Sequence, residues 1–593
     1  MPYRRRVCYT WLVSSIGLRT HRSTHLASGV TMSPISGDVK PRARWWSLAA
    51  LFTFGALMIP MAFAFAGQIN PDGIVYVRIA RYYLSGDLGR AVSGYWSPLY
   101  SWLLVPWLVL GVPGLLATKL LAAVLALTWV VAVSRLGRAY LKTMVGRRCL
   151  VISAAASVLP WSMEVISPDL LLAVLLTFYF AVVLNPEMLE KPRRAFASGV
   201  LGGLAFLAKA YAFPFFIAHF FLTVVLHAWT HPEPRALRRA GVVFLTGILG
   251  FLLVAAPWVS VLSAKYGTLT ITTAASRRNI PGAVVFGEGH TDRSPFPPGV
   301  KLAPVADGRL TAWEAPDEVN VPTIGPSASA SGGIVKLGRG QVILSNLIVI
   351  RDELLGFDYF HLALGALLAT AFIGFLRGPT RVDGSRCLWG FATGSLYVIG
   401  YLPLWARESR YYWPIVGLLM VISFGVVEQI VPALTQLATR ADGRPRQDTR
   451  WLVVGALVVS LSYVQVGLHS LQGQYRARAD FVGVATQLRE EAARNGSRLT
   501  GPLAGNDWPR TVYLAYLLNQ PSYGSTTTEE PERLAQELAS LGIHTYFVFD
   551  SQPLVERLKQ SNSFRILADQ QAPSAMTRGT VAAFEVSHQQ TGR

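Results

Sequence analysis

Apolar runs near the length of a membrane crossing alternate with short polar segments along most of this chain. Roughly 20 residues of helix cross about 30 Å of hydrocarbon. The first run is Trp46 to Ala66. Further spans are expected near 115–134, 149–163, 170–185, 195–208, 211–229, 241–262, 357–376, 387–405, 412–432 and 451–469, about eleven in all. The run 195–230 is too long for one helix, and Lys209 marks its turn. The run 98–110 is short and broken by Pro106, so it reads as interfacial or re-entrant. If it crossed, Arg135, Arg138, Lys142, Arg147 and Arg148 would face outward, against the positive-inside rule.

The remaining segments lack such runs. Residues 1–45 are basic and rich in Ser and Thr, too long and irregular for a signal peptide, and are expected to be a disordered cytoplasmic tail. Residues 46–469 form the transmembrane region, with outer loops 67–114 and 263–350. Residues 470–593 read as a small extracytoplasmic α/β domain. Phe481–Arg494 and Pro531–Leu541 have helical spacing, and His544–Phe549 is a buried-strand run ending in Asp550. That domain shows no catalytic motif and is expected to dock or to act as a lid.

Composition supports this reading. The 593 residues are 52% hydrophobic and only 15% charged, whereas soluble domains carry about a quarter charged residues. The net charge of +20 raises nucleic acid as a partner. However, many Lys and Arg residues lie in short clusters between apolar runs, and no basic stripe carries interleaved aromatics. The three cysteines, Cys8, Cys149 and Cys387, offer neither a disulfide framework nor metal spacing. The expected location is the plasma (inner) membrane, with the N-terminus cytoplasmic.

On this topology the unusual charges fall on one face. Asp72, Arg78, Arg81 and Asp87 lie in the first outer loop, Glu164 and Asp169 in the second, Lys209 at the third, and Arg407, Glu408 and Arg410 in the last. A charge deep in a membrane costs roughly 2.5–3.5 kcal/mol on insertion scales. Lys209, inside Leu207-Ala208-Lys209-Ala210-Tyr211, therefore needs an anionic partner from the fold or from a ligand. Each residue also has a plain reading: Arg410 as an anchor at the membrane edge, Asp169 after Pro168 as a helix cap, Asp72 after Pro71 as a turn former.

Several of these segments carry a resemblance. They are Asn70-Pro71-Asp72-Gly73, Tyr95-Trp96-Ser97-Pro98-Leu99-Tyr100, Ser167-Pro168-Asp169-Leu170-Leu171, Gly202 to Lys209, and Ser409-Arg410-Tyr411-Tyr412-Trp413-Pro414. Over roughly 46–430 the chain resembles the GT-C polyprenyl-phosphate-sugar-dependent glycosyltransferases, the superfamily of the protein O-mannosyltransferases and the lipid A aminoarabinose transferases. The first group has an acidic residue directly after the loop Asp, where Gly73 stands here. The second has Glu-Lys-Pro before the interfacial helix, where Trp96-Ser97-Pro98 stands here.

The resemblance implies a lumenal or periplasmic active site and a donor sugar on undecaprenyl or dolichyl phosphate. The phosphate is a good leaving group, so the reaction needs a base for the acceptor hydroxyl and cations for the phosphate. Asp72 is expected as base, with Asp169 positioning the acceptor or the site. Lys209 and Arg410 are expected to hold phosphate, supported by Arg407. Tyr76, Tyr411 and Glu164 are candidate substrate contacts, and His290 and Glu314 could line an acceptor groove. Direct displacement would invert the anomeric centre. The acceptor, whether lipid, glycan or protein, stays open. A divalent cation (Mg or Mn) is compatible with the carboxylates, although no ligand spacing demands one. The rival class is a transporter or flippase of a lipid-linked anion. It predicts charges at the bilayer midplane and internal repeats, and neither is visible.

Overall fold

The structure, a computed structural model, describes residues 41–184, 191–230, 236–274, 384–402, 408–442, 449–477, 481–570 and 579–587 apart from single positions, with scattered residues between 323 and 368. Its first part is helical: α1 (Pro41–Ala64), α2 (Pro71–Ser85), α3 (Leu88–Ala91), α4 (Leu99–Val109), α5 (Gly114–Tyr140), α6 (Met144–Glu164) and α7 (Asp169–Val183). Then come α8 (Pro192–Ala208), α9 (Ala212–Thr230), α10 (Ala236–Tyr266), α11 (Gly384–Ile399), α12 (Trp413–Asp442) and α13 (Thr449–Ala477).

Among the described residues five helices are long and apolar enough to cross a membrane: Gly114–Tyr140, Ala212–Trp229, Ala236–Tyr266, Ser409–Pro432 and α13, from Arg450 onward. At 1.5 Å per residue the 11 residues of α4 reach only about 16 Å, too short to cross. Two boundaries differ from the sequence reading. Helix α1 starts at Pro41, inside the segment expected to be a disordered tail, because a proline at the first helical position costs no hydrogen bond. Helix α13 continues to Ala477, past the expected domain start at 470, because polar residues can extend an apolar helix beyond its span.

Helix α7 is the centre of the bundle. Its residues from Asp169 to Leu176 are all buried, packed against α5, α8 and α12. A helix apolar on every side belongs inside. A polar chain ties it laterally: Tyr179 Oη lies 2.8 Å from His219 Nδ1, and His219 Nε2 lies 2.9 Å from Thr393 Oγ1, linking α7, α9 and α11.

Helices α8 and α10 approach through glycine. A methyl group on Gly199 would lie 1.9 Å from the Gly247 carbonyl oxygen, and one on Gly250 2.4 Å from the Phe196 carbonyl oxygen. Small residues let membrane helices pack by dispersion alone. Gly199→Ala should cost about 3 kcal/mol or more, the upper end for overpacking, because the obstruction is backbone. Detergent-solubilised protein should melt earlier; an unchanged melting temperature would contradict the close packing.

Residues 481–586 form an α/β layer on the same end of the bundle as Asp72. They contain α14 (Phe481–Arg494), β2 (Leu503–Gly505), α15 (Trp508–Leu518), β3 (Ser522–Thr526), α16 (Pro531–Ser540), β4 (Thr545–Phe549), α17 (Gln552–Gln560), β5 (Phe564–Gln570) and β6 (Val581–Val586). With β1 (Thr323–Ile324) from the long loop, they make a six-stranded sheet of order β1-β3-β2-β4-β6-β5. The pairs β1–β3, β3–β2 and β2–β4 are parallel, and β6 is antiparallel to β4 and β5.

Helix α15 seats this layer on α2. The Arg78 guanidinium lies 5.3 Å from the centre of the Tyr516 ring, and Phe481, Val512, Ala515 and Phe547 join one apolar core with Val77 and Leu115. Burial, then the carboxylates of Asp507 and Asp72, push the Tyr513 phenol above its ordinary range. The layer thus lies over the start of α2.

Candidate functional site

The site starts at Asn70-Pro71-Asp72-Gly73. Asn70 precedes α2 in an extended conformation, yet its side chain does not cap the helix. Its amide pairs instead with the backbone of Ile166: Nδ2 donates to the carbonyl (3.2 Å), and Oδ1 accepts from the amide (2.9 Å). Gln68 Nε2 donates to the Glu164 carbonyl at 2.9 Å. Segment 68–70 is thereby fastened along 164–166, immediately before Asp169.

This contact accounts for Gly73. A methyl group there would lie 2.7 Å from Ile166 Cβ and 3.1 Å from Asn70 Oδ1. An acidic side chain at this position has no room while Asn70 and Ile166 are paired. We expect Gly73→Ala to cost about 1–3 kcal/mol. It should also lower any activity of this site by about tenfold or more by spreading Asp72 from Asp169. Steady-state kinetics beside a melting curve checks this, and wild-type turnover would show that the spacing is irrelevant.

Four elements then deliver four charged groups to one place. Asp72 sits in the first turn of α2 and Asp169 opens α7, both where a helix dipole favours an anion. Lys209 ends α8, where the dipole favours a cation. Arg410 lies in a 3-10 turn, Ser409–Tyr412, directly before α12. Its Nη2 donates to Asp72 Oδ2 at 2.9 Å and to Glu408 Oε1 at 3.0 Å. Its Nε lies 2.7 Å from Glu408 Oε2 and 3.6 Å from Asp169 Oδ2. Asp169 Oδ1 accepts from Lys209 Nζ, which answers the demand for an anionic partner. Lys209 Nζ also stands 3.9 Å from the Tyr411 ring centre.

Exposure separates these carboxylates. The Asp169 side chain is 2% exposed, Asp72 30% and Glu408 52%. Arg410 is 10% exposed, and its buried Nη1 has no hydrogen-bond partner among the described residues.

The other expected residues fall variously. Tyr76 is buried edge-on against Trp96 and Tyr100, at 5.2 Å between ring centres in each case. Tyr411 stacks on Tyr401, which stacks on Tyr211. Both tyrosines are therefore packed into the walls of the site, away from a free surface, because neighbouring rings cover them. Glu164 is within electrostatic reach of Arg410, Glu408 and Lys119. Arg407, His290 and Glu314 lie outside the described residues.

Two residues that the sequence reading did not single out for the site belong to its surroundings. Glu408 lies on the guanidinium itself. Lys119, buried in α5, donates to the Met163 carbonyl at 2.9 Å. Its signal was available: like Lys209, it is a lone cation inside an apolar run.

Among the described residues no group of three His, Cys, Asp or Glu is placed to hold a metal. An ion shared by Asp72, Asp169 and Glu408 would have to displace Arg410 from between them.

No family model matches the chain, and no curated protein matches it. Solved structures do. The apo crystal structure of ArnT from Cupriavidus metallidurans aligns over 91% of this chain and 98% of its own, at 13% identity, with a TM-score of 0.53. The same protein bound to undecaprenyl phosphate aligns over the same shares at 15% identity, with a TM-score of 0.51. The chain has the GT-C membrane fold. Within that GT-C fold, Asp72, Asp169, Lys209 and Arg410 meet at one end of the bundle, beneath the α/β layer.

Proposed function

We propose that this chain is an integral-membrane glycosyltransferase. It moves a sugar from a polyprenyl-phosphate donor to a lipid, glycan or protein acceptor on the extracytoplasmic face of the plasma membrane. The observation that carries this reading is the half-satisfied Arg410, held between Asp72 and Asp169 with Lys209 alongside, on a fold shared with a protein that binds undecaprenyl phosphate. A buried guanidinium with a spare donor suits a phosphate, since Arg can meet two oxygens at once. On this reading the chain crosses the membrane about eleven times, and residues from about 470 onward form an outer lid.

In the reaction, the acceptor oxygen attacks the anomeric carbon while the bond to the phosphate oxygen breaks. The electron pair leaves on the phosphate, where Arg410 and Lys209 balance the charge. The hydroxyl proton passes to Asp72. Asp72 Oδ2 accepts from Arg410, and a phosphate that draws the guanidinium toward itself leaves that oxygen able to take the proton. Displacement from the opposite side inverts the anomeric centre. Asp169, with no room for substrate, holds both cations in place.

The test is transfer of radiolabelled sugar from a panel of polyprenyl-phosphate sugars by purified protein in lipid. Label moving to an acceptor or to water supports the reading and names the donor. Absence of both turnover and donor binding by folded protein overturns it in favour of transport.

A further inference from the structure

Arg410 is held by carboxylates of the protein itself. Glu408, two residues earlier on the same turn, straddles the Nε–Nη2 edge of the guanidinium, with Oε1 accepting from Nη2 at 3.0 Å and Oε2 lying 2.7 Å from Nε. That edge is one of the two through which a guanidinium makes a two-point contact with phosphate. Nη1, on the far side, and Nε, despite its ion pair, are buried without a hydrogen-bond partner among the described residues, so the guanidinium can donate to more oxygens than the protein supplies.

Three carboxylates surround Arg410, and a phosphate that makes a two-point contact through Nη2 must displace at least one. Asp169 is 2% exposed and also bound by Lys209, so moving it would strand a buried charge. Asp72 is fastened by the Asn70–Ile166 pairing at the start of α2. Glu408 is 52% exposed and belongs to no helix. Half-exposed ion pairs contribute little, because water screens them and two side chains must be ordered.

We propose that Glu408 is a resident competitor for the donor phosphate: a carboxylate that holds the Arg410 fork when the site is empty, swings to solvent when the lipid phosphate arrives, and returns to help release the polyprenyl-phosphate product. This deepens the glycosyltransferase reading and rests on it. Glu408 touches the phosphate-binding group and not the reacting atoms, so it is a positioning residue.

The experiment measures the dissociation constant of undecaprenyl phosphate, and KM and kcat for the donor, in wild type, Glu408→Gln and Glu408→Asp reconstituted in nanodiscs. Glu408→Gln keeps the shape and removes the competing charge. It should bind undecaprenyl phosphate about two- to five-fold more tightly, the strength of an exposed pair. Its donor KM should fall and product inhibition should deepen. Glu408→Asp, which keeps the charge, should stay near wild type and controls for folding. Unchanged or weaker binding by Glu408→Gln, beside measurable wild-type binding, overturns the competitor role alone. Wild type that binds no polyprenyl phosphate and transfers no sugar overturns the glycosyltransferase reading and this inference with it.

Discussion

Asp72→Asn should lower sugar transfer by about 10²–10⁴-fold, the usual contribution of a positioned base. Abundance, melting temperature and affinity for the donor should change little. The amide still offers an oxygen to Arg410 Nη2, and Arg410 keeps Asp169 and Glu408 beside it, so the cluster stays assembled while the proton acceptor is gone. A loss of transfer at saturating donor, with unchanged binding of undecaprenyl phosphate, is the pattern required. Wild-type turnover in Asp72→Asn would remove Asp72 as base, and lost donor binding would make it part of the phosphate site.

The largest effect on the folded protein should come from Asp169→Ala. Asp169 is the anion between Lys209 and Arg410, and its removal leaves two poorly solvated cations side by side. Breaking a buried pair by deleting one partner costs about 3–5 kcal/mol, enough to remove much of the protein from the membrane. The remaining carboxylates, Asp72 and Glu408, soften the effect for Arg410. The double variant Asp169→Ala/Lys209→Met should recover stability relative to Asp169→Ala alone, as contacting residues couple in a mutant cycle. Melting curves of the four proteins settle it: strictly additive losses would mean that the ion pair contributes nothing.

Much of the helical layout was legible in the sequence, because membrane spans are written in long apolar runs that only a helix can satisfy. Lys209 was legible for the complementary reason: a cation inside such a run demands a partner, and Asp169 provides it. The contacts that space the site were not legible. Nothing in Asn70 announces that its amide will pair with Ile166 rather than cap α2, and Gly73 looks like an ordinary turn residue until Ile166 is packed against it. Glu408 was visible only as one more charge in a loop, since its role depends on which edge of Arg410 it meets. In the α/β layer, helices α14 and α16 and strand β4 carried clear patterns. Strand β2, three residues long, is too brief for alternation to register, and β1 joins the sheet from a distant loop.

The Asn70–Ile166 pairing bears on how the protein tolerates different membranes. Helices answer a thicker or thinner bilayer by tilting, and tilts of α6 and α7 would pull apart groups that depend on those helices for their spacing. Asp72 does not depend on them. It is tied at the residue level to the link between α6 and α7, so it travels with Asp169 however the helices lean. The two carboxylates therefore keep their separation across lipids of different chain length, and turnover should be far less sensitive to bilayer thickness than the stability of the bundle.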